Sequence, residues 1–234
     1  QDGTITQYAN NLLPIDKTVA ADPAVESAVA PYKAKLDPIV KETIGVANGD
    51  FKRYNSRDLE STLNNLIADA TLAAARKHNP QVEFALVSSG TPRNNVSAGP
   101  ITVEKVFFAL PFDNKIVNVT VTGDVAREML RIQRRPGENK RHAISANAAY
   151  TLIPAPNGKQ DIRDITIDGK AFDKNRTYTI AVTDYMSDGG AGFAMLPGQP
   201  RQDTGIIQRY ALLTHIKAAG TLAPQTGRIQ IKSR

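Results

Sequence analysis

Two arginines and two aromatic residues stand at places in this sequence where side chains meet ligands more readily than cores. Arg57 opens the segment that reads as the strongest helix, and the free backbone N–H groups at a helix start favour an anion. Arg93 follows a predicted strand through Ser88-Ser89-Gly90, a loop whose glycine allows close backbone approach. Phe112 follows a proline in a loop, and Tyr185 shortly precedes a glycine pair. Aromatics in loops are candidate platforms, because a core aromatic more often falls on a periodic face. The chemistry on offer is charge-assisted bonding to anionic oxygens and ring contact with a bound molecule. The ordinary alternatives are two arginines in unrelated surface ion pairs and a Phe112 ring packed beneath its loop.

Other chemistries find no residues to carry them. His78, His142 and His215 lie in different segments, with no Asp-x-His, Asn-His or His-x-His pairing around them. His78 falls where a histidine complements a helix C-terminus, and His142 joins a basic stretch. There is no Gly-x-Ser-x-Gly elbow and no phosphate-cradling glycine loop ending in Lys-Ser/Thr. The chain has no cysteine, which removes thiolate chemistry and disulfides. We therefore assign neither catalytic residues nor metal ligands. The formal charge of +6 permits an anionic ligand. Arg131, Arg134, Arg135, Lys140 and Arg141 cluster about Pro136-Gly137 without interleaved aromatics, which reads as a solvated basic loop rather than a specific nucleic-acid site. No run approaches the ~18 apolar residues of a membrane span, so no membrane partner is expected. Gln1-Asp2-Gly3-Thr4 lacks the charged start and apolar stretch of a signal peptide, and this leaves export open.

The elements that must hold these residues follow from periodicity and punctuation. Residues 4–9 alternate as a short strand, and 10–21 read as a connection. Asp22-Pro23 starts a helix in which Val25, Val29, Tyr32, Leu36 and Val40 form one stripe, expected to be buried, with Pro31 and Pro38 breaking or kinking it. The strongest helix runs from Arg57 to about Lys77, with Ser56 as its cap and Asn79-Pro80 as its stop. Strands at 82–88 and 116–122 alternate with helices at 103–110 and 123–133. Strands then dominate at 149–153, 162–167 and 177–183, followed by a glycine turn at 189–193, a helix near 206–219 and a last strand at 229–232. The pattern specifies an α+β fold: a layered domain with a mixed, largely antiparallel sheet packed with helices.

Four segments, in order, resemble the C-terminal domain of the 5'-nucleotidase family. They are Arg57-x-x-Glu60-Ser61-x-x-Asn64-Asn65-Leu66-Ile67-Ala68-Asp69; Ser88-Ser89-Gly90-Thr91-Pro92-Arg93; Gly99-Pro100-Ile101-Thr102 leading to Leu110-Pro111-Phe112-Asp113-Asn114; and Thr183-Asp184-Tyr185 before Gly189-Gly190-Ala191-Gly192-Phe193. The resemblance implies that Phe112 and Tyr185 sandwich a base, while Arg57, Ser88, Gly90, Arg93 and Asn114 complete a substrate pocket for a nucleotide or nucleoside. It further implies that residues 1–21 are the exit strand and linker of a missing N-terminal metallophosphoesterase domain, and that 22–234 form the substrate-binding domain. Hydrolysis of the phosphoric ester, and the two divalent metal ions it requires, would then belong to that missing domain, leaving this chain inactive alone. The family is often periplasmic or secreted. The alternative is a free-standing or degenerate module that binds a nucleoside-like ligand without hydrolase activity. The departures bear on specificity. Ser88 and Ser89 stand where the family has asparagine and glycine, Thr91 and Pro92 where it has glycine and an aliphatic residue, Tyr185 where phenylalanine is usual, and Ala191 where it has an acidic residue that bonds the ribose hydroxyls.

Overall fold

A computed structural model describes residues 3–55, 58–132, 141–155 and 160–232. The chain divides into two units, residues 1–39 and 40–234. In the first, residues 3–15 carry no regular element, so the strand expected at 4–9 is not formed. Helix α1 (Pro23–Val40) begins where expected, with Asp22 Oδ1 accepting from the backbone N–H of Ala24 at 2.8 Å and of Val25 at 3.2 Å. One helix runs through both Pro31 and Pro38, and none of its residues is buried. Within this unit Val25, Val29, Tyr32 and Leu36 of the stripe expected to be buried are left uncovered, because a unit holding a single helix has no second element to cover them.

The second unit is built around helix α2 (Thr62–His78). Its start differs from expectation. Ser61, not Ser56, is the N-cap, and its Oγ accepts from the Asn64 N–H at 3.1 Å. Ser56 and Arg57 lie outside the described residues. The free N–H groups of the helix thus begin five residues beyond Arg57, which removes the helix-start argument for an anion site there. The stop at Asn79 is as read, and Arg76, Lys77 and His78 occupy the last turn, where cations complement the helix dipole. Leu63, Leu66, Ile67, Ala68 and Ala70 are buried.

Among the described residues the strands form three sheets. The central one has the order β10 (Arg201–Ile207), β4 (Lys115–Thr122), β9 (Thr177–Thr183), β2 (Phe84–Val87) and β5 (Ala143–Ile144). A second orders β12 (Ile229–Ile231), β6 (Ala148–Pro154), β7 (Gln160–Ile167) and β8 (Lys170–Ala171); a third orders β11 (Thr221–Leu222), β1 (Thr43–Ala47) and β3 (Gly99–Thr102). Pairing is parallel for β2/β9, β6/β12 and β1/β11 and antiparallel elsewhere, so the fold is α+β with mixed, largely antiparallel sheets. β2 (FALV) is buried at every position, as a strand covered on both faces must be. The remaining helices are α3 (Val103–Ala109), α4 (Gly123–Arg131), α5 (Asp184–Ser187) and α6 (Gln208–Ala219).

One core packs Phe84, Val119, Met129, Tyr150, Tyr178, Ile180 and Phe193 between the central sheet, α4 and the β6/β7 pair; another packs α2 against β1, α3 and α6. The C-terminal end is tied back to α2 by charge. Arg228 is buried, and its guanidinium donates to the Asp69 carboxylate and to the carbonyls of Asn65 and Ile144. The Glu60 carboxylate accepts from the backbone N–H groups of Gly227, Arg228 and Ile229.

The basic stretch departs from its reading. Arg134, Arg135 and Lys140 lie outside the described residues, but Arg141 and His142 are buried rather than solvated. Arg141 donates to the Arg131 carbonyl at 2.9 Å and to Gln160, and Arg131 pairs with Glu128. β5 begins two residues after Arg141, and the approach of the backbone to that strand carries these polar side chains inside with their partners.

Candidate functional site

Three loops meet beside the C-terminal ends of β2 and β9. The first follows β2. Ser88 is the first residue past the strand, and its carbonyl is fixed twice, accepting from Asn64 Nδ2 at 2.9 Å and from the Thr91 N–H at 3.0 Å. The Gly90 N–H donates to Ser88 Oγ at 3.3 Å, and the Ser89 N–H to Nδ1 of His142 at 3.2 Å, which assigns that nitrogen as an acceptor. His142 in turn lies against the Phe193 ring, 4.8 Å between centroids. The loop is thus seated on α2 from one side and on a buried imidazole from the other. Arg93 leaves it exposed, with Nη1 donating to the Gly90 carbonyl at 2.8 Å.

The second loop follows α3. Leu110 is buried, Pro111 turns the chain outward, and Phe112 is left 44% exposed. The Arg93 guanidinium lies 4.9 Å from the centre of the Phe112 ring, within cation–π range. The Arg93 N–H donates to the Ala109 carbonyl at 2.9 Å, so the first and second loops are joined by backbone as well as by this stack.

The third begins at Thr183, whose hydroxyl caps α5 by accepting from the Met186 N–H. Tyr185 lies on this single turn and is 54% exposed. Gly190 follows, and a Cβ there would come within 2.4 Å of the Tyr185 ring and 2.5 Å of its carbonyl oxygen. Only glycine lets the ring lie where it does. Ala191 then takes the left-handed conformation, φ 56°, in a glycine-rich turn.

Together these loops line an open cleft of about 420 Å³ bounded by Ser88, Gly90, Thr91, Arg93, Phe112, Asn114, Tyr185 and Ala191. Six of the seven residues singled out in the sequence are brought into this one space, and Arg57 lies outside the described residues. The Phe112 ring is not packed beneath its loop, and Arg93 forms no surface ion pair among those described. Among the described residues the lining has one cation, two half-exposed rings, hydroxyls, an amide and no carboxylate. Such a surface suits a flat aromatic molecule carrying an anionic group, and its volume is that of a small-molecule pocket. Among the described residues it offers no general base and no nucleophile with an adjacent base. Among the described residues no group of three or more His, Cys, Asp or Glu side chains is placed to hold a metal ion. The three histidines stand apart, His142 under the first loop, His78 at the end of α2 and His215 half-buried on α6.

Thr91 and Ala191 were legible only as departures from a family pattern. Arg209 was not legible at all. It sits in the first turn of α6, far along the chain, and grips the second loop; nothing local in the sequence distinguishes it from a solvated helix residue.

Comparison with known proteins agrees with this architecture. Residues 43–198 match the family model described as "5'-nucleotidase, C-terminal domain". The chain belongs to the 5'-nucleotidase family, matching it through that C-terminal domain. It is 28% identical over 204 residues to Protein UshA of Yersinia enterocolitica, covering 85% of this chain and 35% of that protein. It is 28% identical to an apyrase of Aedes albopictus (87% of this chain, 38% of that one) and 27% identical to Endonuclease YhcR of Bacillus subtilis (78% and 14%). The chain therefore spans well under half the length of these relatives. Among solved structures, a 5'-nucleotidase precursor from Thermus thermophilus superposes with a TM-score of 0.74 at 22% identity, over 90% of this chain and 43% of that one. The NAD nucleotidase of Haemophilus influenzae does so with 0.71 at 16% identity, over 91% and 42%. At these identities the superpositions speak for the fold.

Proposed function

We propose that this chain is the nucleotide-recognising part of a 5'-nucleotidase-type phosphohydrolase. In this reading the base of a nucleotide or nucleoside lies between Phe112 and Tyr185, Asn114 and the Ser88–Thr91 loop bond its polar edges, and Arg93 receives the phosphate or a sugar oxygen. The observation that carries it is the cleft itself, in which residues from three loops, separated by up to about a hundred positions in sequence, present two exposed rings and a guanidinium to one space. The family membership and the relatives named as nucleotidase and apyrase support the same reading. Cleavage of the phosphoric ester, with its two divalent metal ions, is assigned to an N-terminal metallophosphoesterase domain outside residues 22–234, and a periplasmic or secreted setting follows by analogy with the family. This chain alone is then a binding module.

Two stacking faces contribute roughly 1–3 kcal/mol each, and the translational and rotational cost of association offsets much of that. Affinity for adenosine near millimolar is expected. With no carboxylate among the described residues of the lining to bond ribose hydroxyls, free adenine and adenosine should bind alike. NMR titration of the chain with adenine, adenosine and AMP measures this. Phe112→Ala should abolish the adenosine shifts, and Arg93→Ala should weaken AMP more than adenosine. Adenosine binding that survives Phe112→Ala would sink the reading.

A further inference from the structure

We propose that Arg209 is a positioning residue that sets where Phe112 stands in the cleft; the inference rests on the nucleoside-binding reading above. Its guanidinium is almost wholly buried, and its ligands are concentrated in the short loop that carries Phe112. Nη1 donates to the carbonyls of Leu110 at 3.0 Å and Phe112 at 3.4 Å, and Nη2 pairs with the Asp113 carboxylate. One residue earlier, the Gln208 N–H donates to the Asn114 carbonyl at 2.9 Å. A single turn of α6 therefore holds positions 110, 112, 113 and 114. The plane of the guanidinium is fixed in turn by the Phe107 ring, 4.2 Å from Cζ.

What marks this as positioning is how little else holds the loop. Asp113 keeps 71% of its side-chain exposure, and Phe112 is half out in solvent, so burial contributes little to their placement. Among the described residues the loop is otherwise held by the buried Leu110 at its start and by Arg93, which is itself exposed and belongs to the cleft. A planar fork with several donors reaches two carbonyls and a carboxylate at once, whereas an ammonium on a flexible stem presents a point charge and does not fix their relative geometry. Arg209 touches none of the ligand space directly. It acts through Phe112.

The test uses the full chain, with AMP as the ligand so that binding survives loss of one ring. Arg209→Met keeps the length and the contact with Phe107 while removing every bond to the loop. It should weaken AMP about tenfold, the scale of one lost charge-assisted bond, and move the amide resonances of Leu110, Phe112, Asp113 and Asn114 while those of β4 and β9 stay in place. Arg209→Lys should recover less than half of that loss in logarithmic terms. In a Phe112→Ala background, Arg209→Met should cause no further weakening, because a residue acting only through the ring has nothing left to act on. Losses that multiply in the double variant would overturn the proposal, as would unchanged AMP affinity in Arg209→Met alongside a weakened Phe112→Ala. Should wild type bind no adenosine or AMP, the nucleoside reading fails, and the 110–114 resonances still decide whether Arg209 places the loop. If Arg209→Met does not fold, Asp113→Asn removes the charge from the exposed partner alone. It should weaken AMP two- to threefold with an unchanged melting temperature, and no change in AMP affinity would count against the proposal.

Discussion

At the scale of single residues, the cleft is a set of exposures that neighbouring atoms enforce. Tyr185 is outside because Gly190 leaves it room, and this makes a sharp prediction. Gly190→Ala places a methyl within 2.4–2.5 Å of the ring and of the Tyr185 carbonyl, so one of them must move. The carbonyl is backbone and gives little, and overpacking of this kind costs roughly 1–3 kcal/mol. We expect a lower melting temperature together with a loss of adenosine binding comparable to that of a Tyr185→Ala variant. A Gly190→Ala chain that binds adenosine normally would show that the ring has freedom the contact distances deny it. That Phe112, Tyr185 and Arg93 would stand in loops was legible at this scale for a physical reason, since proline and glycine mark loops and rings in loops tend to stay outside, whereas Ser88, Gly90 and Asn114 entered only through the family resemblance. Arg209 was illegible because its bonds to the Phe112 loop span 96 to 99 positions, and a solvated helix arginine has the same sequence context.

At the scale of elements, reading succeeded where period and cap agreed and failed where only a partner strand defines the structure. β9 was read to the residue, and α6 to within two residues at its start. β1, a five-residue strand interrupted by Gly45, has no alternation to announce it; it exists because β11 and β3 flank it on either side. β10 is an exposed edge strand rich in polar residues and is defined only by its pairing with β4. The start of α2 was misplaced because two serines compete for the cap, and the tertiary contacts decide. Ser61 is 2% exposed, and its hydroxyl lies 2.8 Å from the Lys52 carbonyl and 2.7 Å from Asn64 Oδ1 as well as accepting from the Asn64 N–H. Ser61→Ala removes the cap and leaves those acceptors without it, a loss of about 1–2 kcal/mol. Denaturant unfolding should show the midpoint falling with an unchanged slope. Because Asn64 also holds the Ser88 carbonyl, the same variant should shift the Gly90 amide resonance. An unchanged midpoint would return the cap to another residue.

At the scale of the whole molecule, two buried phenols set an upper limit on the pH the fold tolerates. Burial pushes the hydroxyls of both Tyr54 and Tyr150 above their usual range, with Glu60 adding to the effect on each and Arg141 opposing it at Tyr150. In the unfolded chain both ionise near pH 10, whereas the folded chain keeps both protons beyond that. Their contribution is therefore fully present below about pH 10. It is lost as pH rises toward their folded values, at up to ~1.4 kcal/mol per pH unit for each group. Urea titrations at pH 9, 10 and 11 should show stability falling little across the first interval and about three times as much across the second, and Tyr150→Phe should make the fall shallower. A slope unchanged by Tyr150→Phe would mean that this phenol titrates normally. The tie between Arg228 and Asp69, and between Glu60 and the backbone of residues 227–229, joins groups 159 to 169 positions apart. On a ribosome adding about 5–20 residues per second, Asp69 and Glu60 wait on the order of ten to thirty seconds for partners that have not yet been translated. Through the later part of that interval the nascent chain carries β1 and β6 with neither β11 nor β12 beside them, so the emerging domain offers open strand edges until residues 221–231 have left the exit tunnel.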